Sequence, residues 1–131
     1  MPVRSLNSSV LVWPDRIQVD RAVRLWAARA AMPQPQVRRL GYFGSYARGD
    51  WGVGSDLDLV AIVATAPEPF AQRPLSWDLT SLPVPAEILI YTEPEWRALE
   101  ARGSRFAQTL AREIVWVFPS NNVIQTSVEF S

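Results

Sequence analysis

Two aspartates separated by one residue, Asp56 and Asp58, open an apolar run, DLDLVAIVA. On a strand, residues i and i+2 share a face and lie about 6.5–7 Å apart. Their carboxylates can converge on two cations ~3.5–4 Å apart, the spacing used in two-metal phosphoryl transfer. Two like charges on one strand face, beside apolar residues, are costly unless something positive lies between them. A bare pair of this kind more commonly marks a solvated strand start. The apolar flanks argue the other way, because aspartate is disfavoured in strands.

Upstream, Gly44-Ser45 closes the segment VRRLGYF, and ten residues, 46 to 55, separate Ser45 from Asp56. A strand that ends in Gly-Ser and passes into a helical turn exposes backbone N–H groups that favour an anion. Glycine lets the backbone come close, and the serine hydroxyl adds a bond to a phosphate oxygen. Taken alone, a Gly-Ser pair is more often only a turn. A third acid, Glu87, interrupts the otherwise apolar AEILIYT. If that strand pairs beside Asp56–Ala64, Glu87 reaches the same metals, with the role of binding the catalytic one and helping to remove a proton from an attacking hydroxyl. The alternative is an edge-strand glutamate that discourages aggregation.

Composition narrows the chemistry. The chain has no histidine and no cysteine. This excludes disulfides, thiolates, imidazole bases and zinc sites built from Cys or His. Oxygen-only ligands select hard ions, Mg²⁺ or Mn²⁺. Lys+Arg and Asp+Glu both number 13, so the formal charge is zero. A grip on long nucleic acid usually shows a basic excess, so a small triphosphate or a protein partner fits better. The 131 residues, 48% hydrophobic and 20% charged, suit one globular domain spanning 1–131. Residues 1–12 and 119–131 read as loose ends. No apolar run approaches the ~20 residues of a bilayer span, and no signal peptide is read.

The elements that must position these residues follow from periodicity. Val19, Ala22, Val23, Trp26 and Ala30 recur at helical spacing, which predicts a helix over about 15–31 with Pro14 suited to its first turn. Pro33 and Pro35 end it. Strands are expected at 37–43, 56–64, 86–92 and 115–118. After Asp58 the second strand is apolar on both faces, as in a strand covered on both sides. The Pro-rich stretch 65–85 reads as loop, with a short helical turn docked by Trp77 and Leu79 at about 75–81. Thr92, Pro94 and Glu95 predict a capping box opening a helix over 93–101. A further helix over 104–113 puts Phe106, Leu110 and Ile114 on one side. This order points to an α/β (α+β) domain, with helices packed on a small mixed β-sheet.

Gly44-Ser45, ten residues, then Asp56-Leu57-Asp58 resembles the signature of the DNA polymerase β-like nucleotidyltransferase superfamily. FGSYARGD followed by GSDLDLVAIV is similar to its minimal nucleotidyltransferase members, and the likeness in element order covers most of the chain. The resemblance implies the nucleotidyltransferase fold. It implies that Gly44 and Ser45 hold the β- and γ-phosphates of a triphosphate, and that Asp56 and Asp58 bind two Mg²⁺ ions. Glu87 takes the third acidic position, where many members carry aspartate. Arg48 and Asp50 match the family's Arg-acid segment, so Arg48 either neutralises phosphate or pairs with Asp50. Ser55 shapes the turn into the strand or touches phosphate. The implied reaction moves a nucleoside monophosphate, AMP from ATP, to a hydroxyl, in the cytoplasm.

Larger relatives hold the base and acceptor with a second domain, for which this chain has no room. Small members of the family are often paired with a helical HEPN-domain toxin as its antitoxin, and some modify that toxin with AMP. The resemblance therefore implies a HEPN-type protein partner. Trp51 and Trp96 are candidate exposed residues for such an interface. A non-catalytic module that neutralises its partner by masking is the competing reading. Small-molecule modification, as of an aminoglycoside, would need an acidic acceptor pocket that the sequence does not locate.

Overall fold

A computed structural model of the chain describes residues 13–119. Almost all of the segments expected to be loose ends, 1–12 and 119–131, lie outside that range. Helix α1 spans Arg16–Ala31 and begins at a capping box. The Asp15 carboxylate accepts from the Gln18 N–H at 2.8 Å, and the Gln18 side chain accepts from the Asp15 N–H at 2.9 Å. Asp15 is the cap, so Pro14 lies just before the helix rather than in its first turn. The helix turns Val19, Val23, Trp26, Ala27 and Ala31 inward.

Strand β1 (Val37–Phe43) leads through a one-turn helix α2 (Ser45–Arg48) and a short loop to β2 (Leu57–Val63). After a crossover come β3 (Ala86–Thr92), helices α3 (Glu93–Arg102) and α4 (Arg105–Glu113), and β4 (Val115–Phe118). The sheet order is β3-β2-β1-β4. β1 pairs antiparallel with β2 and β4, and β2 pairs parallel with β3. The mixed sheet with helices on it is thus present.

Both faces of β2 are covered. Leu57, Leu59 and Ala61 join Leu40, Tyr42, Ile88 and Ile90 beneath α1. Val60 and Ile62 face the other way, against Trp96 and Leu99 of α3 and Ala107 and Leu110 of α4. A strand in this position has no solvent face except at its ends, so polar groups collect there.

The structure departs from other expectations as well. The helical turn of the crossover lies at Phe70–Ser76, not at about 75–81. Arg73 pins it there. The guanidinium is buried, donates to the Glu68 and Ile90 carbonyls at 3.0 and 2.9 Å, and holds Glu95 through two bonds of 2.7 and 3.1 Å. No periodicity signals a buried arginine. Trp77, just past this turn, packs beside Trp26 with ring centroids 6.0 Å apart. Trp96 is buried, packed between Tyr91 and Trp116, so it offers no interface, and Trp51 is half-buried and stacked on Tyr46 at 5.7 Å. Finally, Phe106 does not join Leu110 in the core but is 44% exposed; Ala107 takes the inward place.

The capping box of α3 forms as expected, with Thr92 and Glu95 bonding reciprocally. Glu95 serves both the cap and Arg73. Arg73 above all, and then the Thr92 N–H, hold the Glu95 carboxyl down at about 2. A carboxylate depressed by folding contributes stability above its unfolded value of 4.5 and loses it as pH falls through about 2. Glu95→Gln is therefore expected to destabilise the fold at neutral pH by on the order of 1 kcal/mol, a screened value suited to a half-exposed partner. The difference from wild type should shrink as pH falls from 4.5 toward 2. Urea melts across that range would check it, and a pH-independent difference would contradict it.

Candidate active site

The register of the sheet assembles the site. Phe43 of β1, Asp58 of β2 and Glu87 of β3 form one cross-strand row. Neighbours in such a row lie about 4.8 Å apart and point to the same face. Gly44 follows Phe43 directly, so the Gly-Ser turn arises beside Asp58. Contact there is close. Gly44 has φ +81°, and a Cβ at this position would run into the Asp58 carboxylate. Only glycine meets both demands.

Asp56 lies one residue before β2 and is exposed; the strand starts at Leu57, whose N–H donates to the Pro85 carbonyl at 2.8 Å. Ser55 closes the preceding loop, its Oγ accepting from the Gly52 N–H at 2.8 Å. The structure gathers Gly44, Ser45, Arg48, Asp56 and Asp58 around one open cleft of about 420 Å³. Ser55 and Glu87 are not on its wall, though Glu87 stands next to Asp58 in the row. A separate cleft of about 270 Å³ at the far end of β2 is lined by Gln36, Val63, Arg73 and Trp77. Its cation is already bound by Glu95.

The far wall of the larger cleft is α4, which supplies Phe106, Thr109 and Glu113. Glu113 is the functional candidate that sequence reasoning missed. Its carboxylate accepts from the Gly44 N–H at 3.2 Å and contacts Arg48 Nη1 through both oxygens at 3.3 Å. Arg48 also donates from Nε to Asp50 at 3.0 Å, so the two carboxylates share it. A signal was present. Glu113 is the last residue of α4, where the helix dipole disfavours an anion, and an acid there calls for a cationic or N–H partner.

The electrostatics are those of crowded carboxylates. Burial, and then the charges of Glu87 and Asp56, push the Asp58 carboxyl above its ordinary value. A cation would relieve that repulsion, and an all-oxygen donor set suits a hard divalent ion. Among the described residues, no three acids are gathered at metal-ligand spacing. The donor types are those a hard divalent ion takes, while a closed ligand shell is not preformed among them.

The nucleotidyltransferase domain model matches residues 25–109, which takes in β1, the Gly-Ser turn, both aspartates and Glu87. The chain belongs to the nucleotidyltransferase domain family. No curated protein matches it in sequence. Solved structures share its fold, two of them as follows. One is a candidate nucleotidyltransferase from Sulfolobus solfataricus, solved at 1.40 Å, with TM-score 0.54 and 17% identity over 77% of this chain and 80% of that one. The other is a chain from a toxin–antitoxin crystal structure with AMP-PNP, with TM-score 0.52 and 16% identity over 79% of this chain and 78% of that one. The nucleotidyltransferase fold expected from the sequence is therefore present.

In this nucleotidyltransferase domain the contact between Gly44 and Asp58 is testable by coupling. Gly44→Ala is expected to cost about 1–3 kcal/mol, from the positive φ together with the collision. In an Asp58→Ala background the collision is gone and the cost should fall to that of the backbone conformation alone. Thermal or urea melts of the four proteins would measure this. Strict additivity would mean that the two residues do not touch.

Proposed function

We propose that residues 1–131 form a single minimal nucleotidyltransferase domain, which transfers AMP from ATP to a hydroxyl of a partner protein. The partner on this reading is a HEPN-type toxin, and the chain is its antitoxin, working in the cytoplasm. One observation carries the reading most directly: Asp58 and Glu87 stand side by side on adjacent strands, and Gly44, just past the end of β1, packs on the Asp58 carboxylate. The likeness to a chain of a toxin–antitoxin structure with AMP-PNP supports it. Among the described residues no helix is long and apolar enough to cross a membrane.

The roles divide along the cleft. Gly44, through its N–H, and Ser45 receive the β- and γ-phosphates, with Arg48 neutralising their charge. Ser55 holds the loop that delivers Asp56. Asp56, Asp58 and Glu87 are the residues that would hold two Mg²⁺ ions, or Mn²⁺ in their place. When bound, such ions neutralise phosphate charge and make the acceptor hydroxyl easier to deprotonate. The acceptor oxygen bonds to the α-phosphorus. The bond from that phosphorus to the bridging oxygen breaks, and its electron pair leaves with pyrophosphate. Glu87 helps to take the hydroxyl proton. Nothing in this sequence of events requires a covalent enzyme intermediate, which suits a chain without histidine or cysteine.

A masking module remains the second reading, because among the described residues no three acids are gathered at metal-ligand spacing. One experiment separates the two. The chain is incubated with α-labelled ATP, Mg²⁺ and a HEPN-type protein as partner. Label is expected on the partner, to disappear with EDTA, and to fall at least about a hundredfold in Asp56→Asn and Asp58→Asn. Neutralisation of the partner should fall with it. Neutralisation that survives both substitutions without any label would support masking instead.

A further inference from the structure

We propose that Glu113 guards the nucleotide site: its carboxylate occupies the groups that receive phosphate, and a triphosphate must displace it to bind. The proposal rests on the nucleotide reading of this cleft. It concerns a residue outside the Gly-Ser, aspartate and Glu87 set.

The contacts are those a phosphate oxygen pair would make. One carboxylate oxygen accepts from the Gly44 N–H, and both face the Arg48 guanidinium. The Glu113 side chain is only 16% exposed, so this is an inward placement and not a surface excursion. It also keeps the buried Gly44 N–H from standing without a partner, which would be costly. The bond is nevertheless easy to exchange. Glu113 sits at the C-terminal end of α4, where the dipole opposes its charge, and the nearby Asp58 repels it further. Arg48 is shared with Asp50, which stays in place to hold the guanidinium when Glu113 leaves.

A ligand that touches the turn at one point competes poorly with a tethered carboxylate. A triphosphate engages the turn, Arg48 and the acidic row together, and so wins the exchange. Glu113 on this account sets the affinity threshold and favours triphosphate over monophosphate. Binding to a site that is open only part of the time is weakened by the open fraction.

Calorimetric titration of the full chain with MgATP and with AMP tests this. Glu113→Gln keeps an acceptor for the Gly44 N–H but removes the charge that holds Arg48. It is expected to bind MgATP roughly fivefold more tightly than wild type, and to bind AMP with a larger gain. Glu113→Asp, one methylene shorter, should shift in the same direction by less, and serves if the glutamine variant does not fold; melts check folding of both. If wild type binds MgATP and both folded variants bind it equally or more weakly, Glu113 is a positioning or metal-binding residue and the guard is wrong. If neither wild type nor variant binds MgATP, the nucleotide reading falls, and this inference with it.

Discussion

The missing side chain at Gly44 is the constraint from which the site follows. Its backbone lies against the Asp58 carboxylate at a positive φ, so the phosphate turn and the acidic row occupy adjoining space. A methyl group there would force the Asp58 carboxylate to turn aside. The close approach in turn requires β1 and β2 to be paired in one particular register, with Phe43 opposite Asp58. A one-residue slip would send Asp58 to the other face, into the apolar layer under α1.

That register is held by burial on both sides of β2. Leu57, Leu59 and Ala61 are locked under α1, and Val60 and Ile62 under α3 and α4. Neither set can change places without exposing the other. Two separate cores therefore clamp a strand whose first turns carry charge. The cost is visible at Asp58, whose carboxyl is pushed up by burial and by its acidic neighbours. Such strain in a stable framework is common where a ligand charge completes the balance.

The cationic side of the cleft is balanced differently. Arg48 lies between Asp50 and Glu113, and Glu113 also takes the Gly44 N–H. Every one of these bonds is of a kind that phosphate can replace. Arg73 shows the contrast. Its guanidinium is equally committed, but to Glu95 and to the carbonyls of Glu68 in the crossover and Ile90 in β3, where it supports the fold and not a ligand.

Much of this was legible in the amino-acid order. Helical and strand periods are local properties, so α1, the four strands and the Thr92 capping box could be read directly. The fixed interval from Gly44-Ser45 to Asp56 and Asp58 carried the chemistry, because one hairpin brings its two ends together. Glu87 was recognisable as a charge in an apolar strand, but only the parallel pairing of β2 with β3 put it beside Asp58. The places of Arg73, Trp96 and Phe106 could not be read, because burial there is decided by partners distant in sequence. Glu113 belongs with them. Its type and helix-end position were in the sequence, whereas its place on Gly44 and Arg48 depends on how α4 packs across the sheet. Local periods and a short motif determined the elements and the acidic and phosphate-binding residue types. Tertiary packing alone decided which charges meet, since that depends on contacts such as that of Gly44 with Glu113, 69 residues apart.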